Sequence, residues 1–351
     1  MRKGAGALFA LCIATACVCM PLKNERLLAQ ASTQEKNWVE GKAECVMELE
    51  SRRILYADHA EKALPMASTT KILTAITVLQ SCENLQEEIV IPQEAAGVQG
   101  SSVYLKSGDI YTIEDLLYGL MLRSGNDCAT ALALHFGGSV ENFATKMNAV
   151  AQKAGALASS FKNPHGLPCN NHYTTARDLS YITCYAMQNP VFSKIVATRY
   201  YAPRHWQNKN KILTLCEGGV GVKTGYTKEA GRCLVSAVKR DNMTLICTLL
   251  NCPTTYERTI RLVDDAFQAY KREKLLSKDQ VFSVTDGKTT IQASPEKDFY
   301  YPLLQEERAW IETRVKGVDK RLQTKKTGEK VGELEIYLAK RLLFSGNLYK
   351  I

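Results

Sequence analysis

Ser68-Thr69-Thr70-Lys71 heads an apolar run in which Ile72, Ala75, Ile76 and Leu79 recur at i, i+3, i+4 and i+7. That period is the buried stripe of an amphipathic helix, so this stretch must lie against a core. The same helix carries chemistry at its mouth. A serine there has its hydroxyl near the positive end of the helix dipole, and a lysine three residues on returns to the same face. Desolvation lowers the proton affinity of such an amine, which then serves as base for the weak serine nucleophile. Ser159 with Lys162, Ser236 with Lys239 and Ser294 with Lys297 share the spacing, and one Ser–Lys pair arises often by chance. Ser68 is set apart from them by two motifs downstream and by the order in which they come.

The chain has 351 residues, enough for two domains, and its 45% hydrophobic and 23% charged content is that of a soluble globular protein. Arg2-Lys3 before an apolar run from Ala5 to Met20, then Ala29-Gln30-Ala31, reads as an export signal with a small-x-small cleavage pattern. The run is short for a membrane span, and an uncleaved signal acting as an anchor is the alternative. The formal charge is +9; Arg2, Lys3, Lys23 and Arg26 against Glu25 fall in the signal, leaving roughly +6. A mild positive balance suits an anionic envelope surface. No basic stripe with interleaved aromatics points to nucleic acid. Of twelve cysteines, three lie in the signal. The remaining nine show neither CxxC pairs nor zinc spacing, and are expected as reduced, mostly buried thiols. No metal or cofactor is assigned, because the histidines lack ligand spacing.

Along the chain, Ala43 to Glu50 and Ile54 to Ala57 read as an opening hairpin. Thr112 with Asp115 three residues on caps a helix over Leu116 to Leu122, and Val140 to Ala154 is helical. Asn163 to Asn171 is a Pro-, Gly- and Asn-rich loop. Strands come next at Gly219 to Tyr226, Cys233 to Val238 and Met243 to Leu250, then a helix from Tyr256 to Tyr270. First and last strands sharing one sheet give an α+β arrangement, an antiparallel sheet with a helical subdomain. From about Leu276 the texture becomes short alternating stretches, a small all-β domain. The expected division is signal 1–31, catalytic domain 32–275 and C-terminal β domain 276–351.

Two further motifs lie between Ser68 and the β domain. Ser124-Gly125-Asn126 sits in a loop between helices, where an isolated Ser-Gly-Asn is ordinarily a turn. Lys223-Thr224-Gly225 ends a glycine-rich strand whose edge can pair with an extended peptide, Gly225 letting that backbone approach and Lys223 offering charge to a carboxylate. Lys326-Thr327-Gly328 and Ser345-Gly346-Asn347 repeat both motifs in reverse order; they are read as structural.

The ordered set Ser68/Lys71, Ser124/Asn126, Lys223/Thr224/Gly225 resembles the penicillin-binding serine peptidase and β-lactamase superfamily, most closely the low-molecular-mass D-alanyl-D-alanine carboxypeptidases. Asn163-Pro164-His165-Gly166-Leu167-Pro168, Thr174 to Leu179 and Ala230 to Val235 are similar to segments of that family. The resemblance implies a β-lactamase-like, transpeptidase-like catalytic domain and a trailing β domain. It implies removal of the terminal D-alanine from peptidoglycan stem peptides through an acyl-enzyme on Ser68, with β-lactams as covalent inhibitors. Lys71 would be the base and Ser124 the proton relay. Asn126 would hold the acyl amide, and the N–H groups of Ser68 and Tyr226 the oxyanion. Lys223, Thr224 and Arg258 would bind the terminal carboxylate; Arg258 rests on its distance from the Lys-Thr-Gly strand, and a surface arginine is the rival reading. His165 is expected to be structural.

Three rival functions stand beside this one. A β-lactamase of the kind that activates water with a Glu-x-x-x-Asn loop is disfavoured, because none of Asp127, Glu141, Asp178 and Glu217 begins that pattern. A wall-binding or β-lactam-sensing protein and a transpeptidase are the others. The family's C-terminal amphipathic helix is not evident, which leaves association with a membrane surface open.

Overall fold

The computed structural model describes residues 41–351; the expected signal at 1–31 lies outside them. In chain order the strands are β1 (Ala43–Glu48), β2 (Ile54–Asp58), β3 (Glu88–Val90), β4 (Ile110–Thr112), β5 (Tyr200–Tyr201), β6 (Trp206–Gln207), β7 (Gly219–Thr227), β8 (Gly231–Arg240) and β9 (Met243–Leu250). Then come β10 (Tyr270–Leu276), β11 (Phe282–Thr285), β12 (Thr290–Pro295), β13 (Phe299–Leu304), β14 (Ile311–Lys316), β15 (Lys330–Leu338) and β16 (Arg341–Lys350). The helices are α1 (Lys71–Ser81), α2 (Ile113–Tyr118), α3 (Asn126–Gly137), α4 (Val140–Ala154), α5 (Ala176–Met187), α6 (Pro190–Ala197), α7 (Ile212–Leu215) and α8 (Thr255–Ala269).

A five-stranded antiparallel sheet in the order β2-β1-β9-β8-β7 organises the first part, so the opening hairpin does join the last strands. Strand alternation splits its apolar residues between two cores. Cys45, Met47, Val235, Ala237 and Ile246 face the helical subdomain with α1 at its centre. Val46, Leu234, Leu245, Cys247 and Leu249 face Leu262, Val263 and Ala266 of α8. Each fully buried Leu or Val there contributes about 1.5–3 kcal/mol, so packing holds α8 against the sheet.

Thr112 caps α2 as its spacing predicts, its hydroxyl accepting from Asp115 N–H at 3.1 Å. The helix then widens into a π turn over Gly119–Arg123 that ends on Ser124 in the left-handed region (φ 66°). This turn ends the helix at Ser124, two residues before α3 begins.

Beyond α8, β10 pairs with β13, and β11-β12-β16-β15-β14 form a second antiparallel sheet around Leu276, Val284, Leu334, Ile336 and Leu348. The residues after Leu338 form β16, a strand the sequence reading did not assign; both decoy motifs fall in this sheet region. One buried cation ties the two parts. Arg53, in the β1–β2 connection, donates to Pro302 O at 2.7 Å and to both Glu307 oxygens at 2.8 and 2.5 Å. Its guanidinium lies 5.0 and 5.3 Å from the Tyr270 and Tyr301 ring centres. All nine cysteines in the described residues are free, and seven are buried.

Candidate active site

Ser68 lies in a 3-10 turn, Ala67–Thr70, that runs straight into α1. Thr69 and Thr70 hydroxyls donate back to Met66 O (2.6 Å) and Ala67 O (2.9 Å) and so fix the turn. Lys71, the first residue of α1, is completely buried. Its Nζ donates to Ser68 Oγ at 2.9 Å, Asn126 Oδ1 at 2.6 Å and His165 O at 2.7 Å. Burial, and next the charge of Lys223, hold the amine well below the ordinary lysine range. Two of the three partners are pure acceptors, which occupy two N–H groups in either charge state. The third is a hydroxyl, so loss of one proton leaves the lone pair of Nζ aimed at the Ser68 O–H.

Asn126 opens α3. Its own N–H donates to Ser101 O (2.7 Å), and its Nδ2 donates to Gln99 O (2.6 Å). Its carboxamide therefore first of all orients Lys71. Ser124, two residues earlier, is buried, and its hydroxyl has no hydrogen-bond partner among the described residues, which leaves it available to a bound group.

β7 is the open edge of the sheet and lies against the Ser68 turn. A Cβ on Gly225 would stand 3.0 Å from both Met66 O and Ser68 N, so a side chain here would crowd the Ser68 turn, and glycine lets the strand come this close. Lys223 is buried, donates to Thr224 O at 3.0 Å, and is pushed down to about 7 by burial and then by Lys209. Tyr226 follows Gly225 with its side chain exposed. The strand thus brings Lys223, Thr224, Gly225 and Tyr226 alongside Ser68.

Arg258 is a correction. It is on α8, behind the sheet, where Nε donates to Glu44 Oε1 and Oε2 at 3.1 and 3.0 Å, and Nη2 to Glu44 Oε2 at 2.6 Å and Tyr56 OH at 2.9 Å. Its guanidinium is committed to a buried carboxylate, not to the cleft. Linear distance from Lys223 matched, but α8 packs on the opposite face from α1.

Three contributors escaped the sequence reading. Lys209 N–H donates to Leu122 O (3.2 Å), placing this residue beside the π turn, and its charge acts on Lys71 and Lys223. Nothing in Asn208-Lys209-Asn210 marks it. Asp127 is fully buried and accepts from Ser102 Oγ (2.5 Å), Val103 N–H (3.0 Å) and Leu105 N–H (3.1 Å). It pins the strap whose carbonyls hold Asn126; its place after Ser-Gly-Asn was the available signal. His172 accepts from Lys162 N–H at Nδ1 (2.9 Å), so Nε2 keeps the proton that meets Thr70 Oγ1 at 3.1 Å.

His165 contributes its carbonyl. Its ring accepts from Leu167 N–H at 3.2 Å, and burial together with the Lys71 charge pushes it down to about 3, so the imidazole is neutral and no rival base. The next residue, Gly166, has φ +88°, and a Cβ there would lie 1.9 Å from Ala67 O.

The profile of the D-alanyl-D-alanine carboxypeptidase family matches residues 29–254, and that of the penicillin-binding protein 5 C-terminal domain matches 270–350. D-alanyl-D-alanine carboxypeptidase DacF of Bacillus subtilis is 30% identical over 255 residues, 69% of this chain and 66% of the relative. A D-alanyl-D-alanine carboxypeptidase of Streptomyces sp. is 36% identical over 219 residues, 56% of this chain and 75% of the relative. Penicillin-binding protein 5 of Haemophilus influenzae shares the fold with a TM-score of 0.75 at 24% identity, over 91% of this chain and 98% of that one. The Streptomyces K15 DD-transpeptidase superposes with a TM-score of 0.63 at 32% identity, over 67% of this chain and all of the other. On the strength of the profile match and the Bacillus relative, the chain belongs to the D-alanyl-D-alanine carboxypeptidase family of serine-type peptidases.

Proposed function

We propose that the protein removes the terminal D-alanine from peptidoglycan stem peptides by way of an acyl-enzyme on Ser68. The observation that carries this reading is the environment of Lys71: a buried amine, lowered in proton affinity, 2.9 Å from Ser68 Oγ. Ser68 Oγ attacks the carbonyl carbon of the penultimate D-alanine while Lys71 Nζ takes its proton. The carbonyl oxygen becomes an oxyanion facing the N–H groups of Ser68 and Tyr226. Collapse breaks the C–N bond, Ser124 relays the proton held on Lys71 to the departing amine, which leaves Lys71 neutral, and free D-alanine leaves. Water then attacks the ester, giving up a proton to Lys71, and Ser68 is regenerated. Lys223 and Thr224 receive the terminal carboxylate, in a field reinforced by Lys209; Asn126 keeps Lys71 in place and offers its remaining N–H to the acyl amide. A β-lactam would enter the same acylation step, and its strained amide would leave a long-lived ester.

Residues 32–275 are the proposed catalytic domain and 276–351 the β domain, in an exported protein of the cell envelope. Among the described residues no helix is long and apolar enough to cross a membrane. The test is release of D-alanine from an acyl-Lys-D-Ala-D-Ala peptide, compared with Ser68→Ala. Release abolished by the substitution supports the reading; equal release from both proteins sinks it. Transfer of the acyl group to an added amine in place of water would favour the transpeptidase reading.

A further inference from the structure

The carboxylate of Asp115 is engaged far from its own helix. Its N–H meets the Thr112 cap, but Oδ1 accepts from Tyr201 OH at 2.8 Å and Oδ2 from Arg204 Nε and Nη2 at 2.9 and 2.5 Å. Those partners lie 86 and 89 residues on, in the β5–β6 hairpin. Strands of two residues cannot hold a hairpin in place, so its position is set by what its side chains grip. Arg204 holds its guanidinium 4.1 Å from the Tyr111 ring centre, and Tyr201 stacks on Tyr118 with the ring centres 3.8 Å apart. Asp115 is thus the buried anchor on which the tip of the hairpin closes.

The hairpin in turn bears on the π turn. A Cβ on Gly119, the first residue of that turn, would stand 3.1 Å from Trp206 Cζ3 and 2.6 Å from Cys128 Sγ. Trp206 therefore backs directly onto the Gly119 backbone. Gly119 O accepts both the Ser124 N–H and the Gly125 N–H, the latter at 3.1 Å. Two bonds join the far end of the turn to the same segment: Arg123 Nη1 donates to Gln207 O and Lys209 N–H to Leu122 O, each at 3.2 Å. Ser124 sits in the left-handed region (φ 66°), which is costly for a residue with a Cβ and persists only where its surroundings fix it. The hairpin is part of those surroundings.

Resting on the carboxypeptidase reading, we propose that Asp115 is a positioning residue for Ser124, acting through Arg204, Tyr201 and Trp206 on the turn that carries the proton relay. Leaving-group chemistry separates this role from general support. An amide nitrogen must be protonated as its C–N bond breaks, whereas a thiolate departs from a thioester without a proton. The experiment therefore compares diacetyl-Lys-D-Ala-D-Ala with diacetyl-Lys-D-Ala-D-thiolactate, using the full chain. Both carry the same terminal carboxylate, so an effect exerted through Lys209 or Lys223 appears in both. In Asp115→Asn, kcat/KM for the amide should fall about ten- to hundredfold, and for the thioester by less than about threefold. In a Ser124→Ala background the same substitution should change the amide rate by less than about threefold, because the relay it positions is gone. Should Asp115→Asn fail to fold by circular dichroism, Arg204→Gln, at a partly exposed side chain, makes the same comparison. Equal losses on both substrates, or an undiminished loss in the Ser124→Ala background, would overturn the positioning role while leaving the carboxypeptidase reading intact. Turnover of neither substrate by the parent protein would overturn that reading and this role with it.

Discussion

Lys71 Nζ lies 2.9 Å from Ser68 Oγ and 2.6 Å from Asn126 Oδ1, so one buried amine joins the Ser68 turn to a residue 55 positions beyond Lys71. The amine is useful only if it can be neutral at working pH, and its burial beside Lys223 provides for that.

Lys71→Arg should therefore be inactive. A guanidinium stays protonated at any accessible pH and cannot take the serine proton. We expect kcat/KM for D-alanine release to fall about a thousandfold or more. Covalent labelling by a fluorescent penicillin should fall in parallel, while the circular dichroism spectrum is retained. Activity within tenfold of the parent would refute the lysine-base assignment.

Lys223 yields a pH prediction. Its pKa of about 7 in the free protein means that it loses its charge as pH rises through neutrality. The carboxylate anchor weakens over that range, so kcat/KM should have a falling limb near pH 7 carried by KM more than by kcat. The stability sign is opposite. Because the folded pKa lies below the unfolded value near 10.4, the unfolded chain binds more protons between about 7 and 10.4, and stability rises with pH there. A flat KM from pH 6 to 9 would contradict the assignment.

Asp127→Ala should damage the site without touching substrate. The change strands Ser102 Oγ and the Val103 and Leu105 N–H groups, which converge on this carboxylate. Losing the acceptor costs about 3 kcal/mol of stability. It also frees the strap that holds Asn126, so kcat should drop more than KM rises. Urea unfolding beside steady-state kinetics measures both; an unchanged kcat would show that the strap does not position Asn126.

Arg258→Met separates a structural arginine from a substrate-binding one. Removing it leaves Glu44 buried without its cation, at a cost of about 3–5 kcal/mol. The folded fraction should keep its KM within about threefold. A tenfold rise in KM with little loss of stability would restore the carboxylate-binding role.

Much of the molecule was legible from local signals. The stripe after Ser68, the Thr112 cap and the Met243–Leu250 run each state their structure within a few residues, because helix and strand periods are local properties. The last strand escaped notice because Arg341–Lys350 does not alternate cleanly; its pairing with β15 and β12 defines it. Asp127 and Lys209 escaped for a related reason. Their importance lies in partners 14 or more residues away, and no local pattern encodes those contacts.

The sequence by itself determined the reacting groups, since a nucleophile, a base and an anchor strand are properties of residue type and order. Tertiary structure alone decided which charges are buried. Burial lowers the proton affinity of both Lys71 and Lys223, which the proposed mechanism uses in the first as a base. It also directs Arg258 to Glu44, because the two faces of a sheet are set by packing and not by distance along the chain.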